Sequence, residues 1–336
     1  MNLKVLFIGG TGIISSAVSA LAVKRGIQLS LLNRGLSKRN IPKGVEMLTA
    51  DLRDRNAVNN ALGGRTFDAV VNWIAFTPDQ IEADLQYFKN RTAQYIFISS
   101  ASVYHTPPLS LPVTESTPLH NPFWEYSRQK IACEERLMQA YREDSFPATI
   151  VRPSHTYDAT LLPMHSHYTV VARMRAGKKV IVHGDGTSLW TMTHHRDFAK
   201  GFIGLLGNPG AVGEAYHITS DEVLTWDQIF RFVGNAAGVE PKIVHIPSEM
   251  IAAFDPEWGA SLLGDKAHSM IFDNSKIKRL VPEFQAKIPF WQGAKEVIEW
   301  FGADPDRQII NQDKDRTMDR IIAAYQAGLP GSDQPE

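Results

Sequence analysis

The sequence predicts an α/β protein built on a doubly wound parallel sheet with a smaller C-terminal lobe, and three observations carry that expectation. Apolar runs of strand length alternate with stretches of helical period through the first half of the chain. A glycine-rich turn follows the first run directly. The alternation loses its regularity beyond Pro153.

Taken in order, residues 3–8 are apolar apart from Lys4, as suits a strand buried on both faces, and residues 15–25 carry a helical pattern. Residues 29–33 read as a second strand and 53–62 as a second helix. Strands at 69–74, 94–99 and 148–152 continue the series, with helices at 79–89 and 124–141 between them. Such a sheet takes ligands at the carboxyl ends of its strands. Farther on, 163–177 reads as a loop leading to a helix, and 179–190 as a hairpin turning on Gly184-Asp185-Gly186. Residues 226–237 form a helix capped by Thr225. The expected division is 1–155 for the sheet domain, with later elements returning to it near 190–220, 156–327 mainly for the smaller lobe, and 328–336 as a flexible tail. No internal repeat is visible.

Bulk properties narrow the function classes. At 336 residues, 43% hydrophobic and 21% charged, the chain can bury one large core, or one core and a smaller lobe. A net charge of −1 gives no general attraction for nucleic acid or an anionic membrane, so neither is expected as a partner. The single cysteine, Cys133, excludes an internal disulfide, and its place on the 124–141 helix predicts packing. Residues 1–9 lack the pattern of a signal peptide, and no apolar run reaches a membrane span, so a soluble, cytoplasmic protein is expected.

The chemistry is carried by three spaced segments. After the first strand, Gly9 and Gly12 of Gly9-Gly10-Thr11-Gly12 permit a tight turn, and with it a close approach of backbone N–H groups to a pyrophosphate at the following helix start. Thr11, Ile13 and Ile14 share that turn. In Tyr126-Ser127-Arg128-Gln129-Lys130, the Tyr and Lys at i and i+4 lie on one helix face, where an ammonium favours a phenolate and makes a base near neutral pH. Between them, Ser99-Ser100-Ala101-Ser102-Val103-Tyr104 ends a strand; Ser100 and Ser102 share a face that Ser99 does not.

In this order and spacing, the segments resemble the extended short-chain dehydrogenase/reductase family of sugar-nucleotide epimerases, dehydratases and reductases, over at least residues 3–300. The resemblance implies a Rossmann domain binding a nicotinamide dinucleotide, and a small, carbohydrate-like substrate held by the second lobe. It implies that Ser100 bonds the substrate oxygen, that Tyr126 is the general acid/base, and that Lys130 assists it and bonds the nicotinamide ribose. Asp51 and Leu52 fall at the adenine edge, Asn72 to Ala75 beside the cofactor, and Pro153 and His155 on the nicotinamide-side loop. On residues alone, Asp51 serves equally as a cap for the helix near Arg53, and His155 as a hydrogen-bonded interior histidine. Ser15 stands where many relatives have a third glycine. The second strand ends in Asn33-Arg34, without an acidic residue for a free ribose; an arginine there suits a 2′-phosphate, so NADP is expected, with NAD as the alternative. Arg34, Lys38 and Arg39 also fit a plain solvated basic loop.

Relatives that eliminate water carry an acidic pair after the hydroxyl residue; Ala101-Ser102 here points to the epimerase and reductase branches. Where sugar-nucleotide enzymes place an arginine after the G-D-G turn, this chain has Trp190. The substrate then either lacks a nucleotide diphosphate or is held by Arg173, Arg175 or Arg196. Ser102, Trp124 and Trp190 are the expected substrate contacts. His165, His167, His194 and His195 with Asp158 or Asp197 have the ligand types of a metal site, but loop spacing and the helix-start position of His194 favour structural roles, and no metal is expected. The resemblance also implies a homodimer. Plant chloroplast stem-loop RNA-binding proteins share the fold, which keeps a non-catalytic or RNA-binding role as the alternative.

Overall fold

The computed structural model describes residues 3–330. Its central sheet holds β1 (Lys4–Ile8), β2 (Gln28–Asn33), β3 (Glu46–Thr49), β4 (Ala69–Asn72), β5 (Tyr95–Ile98) and β6 (Ala148–Pro153). These are followed by β7 (His155–Tyr157), β8 (Lys179–His183), β9 (Leu189–Trp190), β10 (Met192–His194), β11 (Ala215–Ile218), β12 (Leu224–Thr225) and β13 (Lys242–Ile246). The seven-stranded sheet has the order β11-β6-β5-β4-β1-β2-β3, parallel throughout. Its order reverses between β1 and β4, which opens a crevice beyond their carboxyl ends. Strands buried on both faces need continuous apolar sequence, and Val5, Leu6 and Phe7 are wholly buried.

Helices α1 (Ile13–Lys24), α2 (Arg55–Leu62), α3 (Pro78–Phe88) and α4 (Glu125–Asp144) connect these strands. Asp54 caps α2 by accepting from Asn56 N and Ala57 N, so Asp51 is not its cap. Strand β4 stops at Asn72 rather than running to residue 74, because the Asn72 side chain accepts from Ile74 N and Ala75 N at 2.8 Å each and bends the chain out of the sheet. Cys133, Leu137 and Ala140 of α4 pack into the core, as expected for Cys133, whose thiol burial pushes up to about 12. A buried Arg152–Glu134 pair at 2.6 Å ties β6 to the same helix.

Beyond β6 come α5 (Tyr168–Arg175), α6 (His195–Ile203), α7 (Trp226–Ala237), α8 (Ser248–Phe254) and α9 (Pro256–Ser261). A π-turn at Leu262–Lys266 leads to α10 (Ser275–Leu280), α11 (Phe290–Gly302) and α12 (Gln312–Ala327). Residues 179–190 are not a hairpin: β8 pairs in parallel with β13, and β9 pairs antiparallel with β12. Gly184 (φ +61°) and Gly186 (φ +76°) do turn the chain, but between strands that find distant partners. Strand β11 returns to the edge of the central sheet, and β7 pairs with β10. Helix α12 ends at Ala327; of the expected tail, residues 331–336 lie outside the described residues. Among the described residues no helix is long and apolar enough to cross a membrane.

Candidate active site

A cavity of about 480 Å³ at the switch point is lined by Gly9, Thr11, Asn33, Arg34, Asp51 and Leu52. Gly9 (φ +96°) lines it, and beside Gly9 a Cβ on Gly10 (φ +90°) would meet the Leu31 side chain at 2.5 Å. Gly10, which the sequence reading did not single out, is therefore an obligatory glycine. Ser15 turns its departure from the glycine pattern into a bond, since its hydroxyl accepts from Gly12 N at 2.7 Å. Ile13 and Ile14 open α1 beside the cavity but are not among its lining residues. Asn33 stitches β2 to the glycine turn, donating to Gly9 O at 3.3 Å and accepting from Gly35 N at 2.7 Å.

Charge around this cavity is specific. Arg34 is exposed at the rim. Arg39 is engaged elsewhere, bonding Asp158 at 2.5 Å and Thr160 at 2.6 Å across to the smaller lobe, and Lys38 does not line the cavity. Asp51 pairs with Arg53 at 2.6 Å, and that guanidinium holds its carboxyl well below the usual carboxylate range. Arg53 also lines the cavity and was missed, because a basic residue after a strand end is indistinguishable in sequence from a solvated one. A glycine turn at a helix start, with Gly9 in the cavity wall, and two rim arginines fit a nicotinamide dinucleotide.

The second group stands at the ends of β4 and β5. Ser100 leaves β5 into a 3₁₀ turn, Ala101–Val103, rather than a continuing strand. Its Oγ accepts from Ser102 N at 3.2 Å and lies 2.9 Å from Ser102 Oγ. Ser102 is buried behind it and accepts from Ser127 Oγ at 2.7 Å, so it supports Ser100 and does not offer a free face to substrate. The Ser99 hydroxyl is buried without a hydrogen-bond partner.

Lys130 is buried, with Nζ donating to Ala75 O at 2.7 Å and Ile98 O at 2.8 Å, and it lies 5.8 Å from the Tyr126 ring centroid. Burial pushes its ammonium down to about 8. Burial likewise pushes the Tyr126 phenol up to about 12, with the Ser100 hydroxyl opposing the rise and the Asp265 carboxylate adding to it. The expectation of a phenol lowered by Lys130 is thus corrected: two backbone carbonyls take two of the ammonium's three donors, and desolvation of the phenol dominates. Asn72, bonded to Asp84, and Ala75, whose carbonyl holds Lys130, shape this wall from behind.

Asn121 joins the pieces. Its amide donates to Ser102 O (2.8 Å) and to Gly264 O of the π-turn (2.6 Å), while its oxygen accepts from Trp124 N at the start of α4 (3.0 Å). An asparagine just before a helix was the available signal.

Beyond Tyr126 a second cavity of about 430 Å³ is lined by Trp124, His155, His165, Trp226, Trp258 and Lys266, among others. The Trp124 and Tyr126 rings lie 4.8 Å apart, so this cavity adjoins the Ser100–Tyr126–Lys130 group. Pro153 ends β6 outside its wall, and His155 lies within it, held neutral by burial at about 3. Trp190 is corrected: pairing of β9 with β12 turns it into the core behind Trp226, at 5.8 Å, and Trp226 takes the wall. None of the three arginines weighed for a diphosphate lines the cavity. Arg173 is locked to Asp315 and Asp319, Arg196 to Glu296, and Arg175 donates to the Tyr168 hydroxyl.

The candidate metal-ligand residues have separate partners. His165 stacks on Trp258 at 4.1 Å, His194 caps α6, and Asp197 accepts from Lys200 and Ile288 N. Among the described residues no three histidine, cysteine or acidic side chains group as a metal requires.

The profile of the NAD dependent epimerase/dehydratase family matches residues 5–219. The chain is 26% identical over 293 residues to 2'-dehydrokanamycin reductase of Streptomyces kanamyceticus, spanning 85% of this chain and 81% of that protein. It is 28% identical over 258 residues to the chloroplast stem-loop binding protein of 41 kDa b of Arabidopsis thaliana, spanning 72% of this chain and 65% of that protein. The structure of UDP-glucose 4-epimerase from Bifidobacterium longum in complex with NAD+ and UDP superposes with a TM-score of 0.73 at 19% identity, over 90% of this chain and 99% of that one, which shows a common fold. With well over half its length matched by the family profile, the chain belongs to the NAD dependent epimerase/dehydratase family.

Proposed function

We propose that the protein is an NADP-dependent oxidoreductase or epimerase-type enzyme that exchanges a hydride with a secondary alcohol or ketone of a sugar-like substrate, acting as a cytoplasmic homodimer. What supports this reading is that Tyr126 packs against Trp124 of the aromatic cavity, while Lys130 bonds Ala75 O, next to Ile74 of the cavity suited to a dinucleotide. A nicotinamide dinucleotide supplies or accepts the hydride. Ser100 holds the substrate oxygen, and Tyr126 Oη exchanges the proton with it. A phenol pushed up to about 12 is protonated at neutral pH, which favours proton donation to a carbonyl oxygen as the ready direction. Residues 1–155 carry the cofactor and 156–327 mainly the substrate. Arg34 at the rim and the absence of an acidic side chain at the end of β2 support NADP over NAD.

Calorimetric titration with NADPH and NADH tests the reading: both bind, NADPH more tightly, and Lys130→Met weakens both. The likeness to a stem-loop binding protein supports a second reading, a binding module on the same fold. Failure of both cofactors to bind, together with salt-sensitive uptake of a stem-loop RNA, would reverse the ranking.

A further inference from the structure

We infer that the aromatic cavity beside Tyr126 takes an uncharged, hydroxylated ring compound, a glycoside without phosphate, and not a nucleoside diphosphate sugar. The inference rests on the functional reading above and names the substrate class of that same site.

The cation count of the wall carries it. Two buried phosphates demand charge-assisted partners, best supplied by guanidinium forks. Among the described residues Lys266 is the only lysine or arginine lining the cavity, and it is already engaged: its Nζ lies 3.3 Å from Asp265 Oδ2 and 5.3 Å above the Trp124 ring. Asp265 sits beside that ammonium as its counter-ion. Three of the four histidines in the wall add no cation, because burial holds His155 at about 3 and His165 and His183 at about 4, leaving neutral imidazoles near pH 7; the fourth, His167, is engaged through Nδ1 with Leu162 O at 3.0 Å.

What the wall does offer suits hydroxyls on a ring. A neutral imidazole presents one donor and one acceptor, as a hydroxyl does, and the indoles of Trp124 and Trp226 give broad apolar faces for ring C–H groups. Trp226 Nε1 and Ser166 Oγ, both in the wall, are buried without any hydrogen-bond partner, two polar groups that a ligand hydroxyl would satisfy. Ser166 (φ +66°) and His167 (φ +47°) hold consecutive left-handed conformations in the same wall, strain of the kind that gathers at ligand sites.

The test is calorimetric titration of the NADPH-saturated protein with UDP-glucose, UDP and 4-nitrophenyl β-D-glucopyranoside. The aryl glucoside is expected to bind with a Kd of about 1 mM or tighter and the two nucleotides not to bind in that range. Trp226→Phe should weaken the glucoside about fivefold by removing the indole N–H, and Lys266→Gln should leave it within about twofold. UDP-glucose binding more tightly than the aryl glucoside, and losing affinity in Lys266→Gln, would overturn the inference; so would failure of all three probes to bind. In either case normal NADPH affinity leaves the hydride-transfer reading standing. Loss of NADPH binding itself removes that reading, and this inference with it.

Discussion

Tyr126 and Lys130 show how far residue type and spacing carry, and where environment takes over. Their i, i+4 spacing does put both on one face of α4, but the ammonium bonds Ala75 O and Ile98 O instead of setting the phenol's acidity. If Tyr126 carries the proton as proposed, Tyr126→Phe removes that carrier and little else, so turnover should fall at least ~100-fold with NADPH affinity unchanged. Steady-state kinetics beside a cofactor titration checks this, and near-normal turnover would take Tyr126 out of the mechanism. Arg34 makes the second residue-scale prediction. With Arg39 tied to Asp158 and Arg53 to Asp51, Arg34 is the rim cation left for a 2′-phosphate. A charged hydrogen bond contributes about 1.5–3 kcal/mol, so Arg34→Ala should remove most of the NADPH preference, about tenfold or more in Kd. Equal binding of NADPH and NADH by the wild type would show Arg34 to be only a solvated loop residue.

At the scale of elements, the parallel strands were legible because burial on both faces leaves continuous apolar runs, and the helices because their caps are local. The partner of β8 was not legible. It is β13, some sixty positions later by the register Lys179↔Lys242, and no local pattern specifies a parallel neighbour at that distance. Interior polar bonds were hidden for the same reason, and Asp84 is the clearest case. From α3 it accepts from Asn72 at the end of β4 and from the Tyr95 hydroxyl of β5, and burial pushes its carboxyl up to about 6 from an ordinary 3.8. A raised carboxyl pKa means that the folded state holds the proton longer than the unfolded one. Asp84 therefore supports the fold most fully below about pH 4, and that support is lost as pH rises through about 6. Asp84→Asn keeps an acceptor for Tyr95 without the charge. Its stability relative to wild type, read from urea unfolding, should improve between pH 4 and pH 7 by at most about 3 kcal/mol. A difference that does not vary with pH would show that Asp84 is ionised in both states.

The whole molecule adds what neither residues nor elements contain: a trio that touches the wall of one cavity through Trp124 and bonds Ala75, next to Ile74 in the wall of the other, held by contacts between distant segments. The glycine turn, Asn33, Arg34, Asp51 and Leu52 were readable because they cluster at strand ends that the alternation locates. Trp226 and Asn121 were not, because their roles depend on how β9 meets β12 and how the π-turn meets α4. One surface remains to be assigned at this scale. Helices α3 and α4 run side by side, and a groove of about 450 Å³ beside them is lined by Leu85, Ala140 and Phe146 with the Glu82–Arg136 pair at its edge. The family resemblance implies that these two helices meet their copies in a symmetric dimer, and an isologous contact through one two-helix face closes without leaving a second face open. Light scattering at micromolar concentration should therefore give twice the chain mass of 37.5 kDa. Leu85 is only partly buried, at the edge of the core that it packs against, so Leu85→Arg places a charge on that face at limited cost to the core. The variant should be a folded monomer that still binds NADPH, since the dinucleotide cavity lies at the strand ends and includes neither Leu85 nor Arg136. A wild type of single-chain mass would end the proposal, and a dimeric Leu85→Arg variant would move the interface to another face.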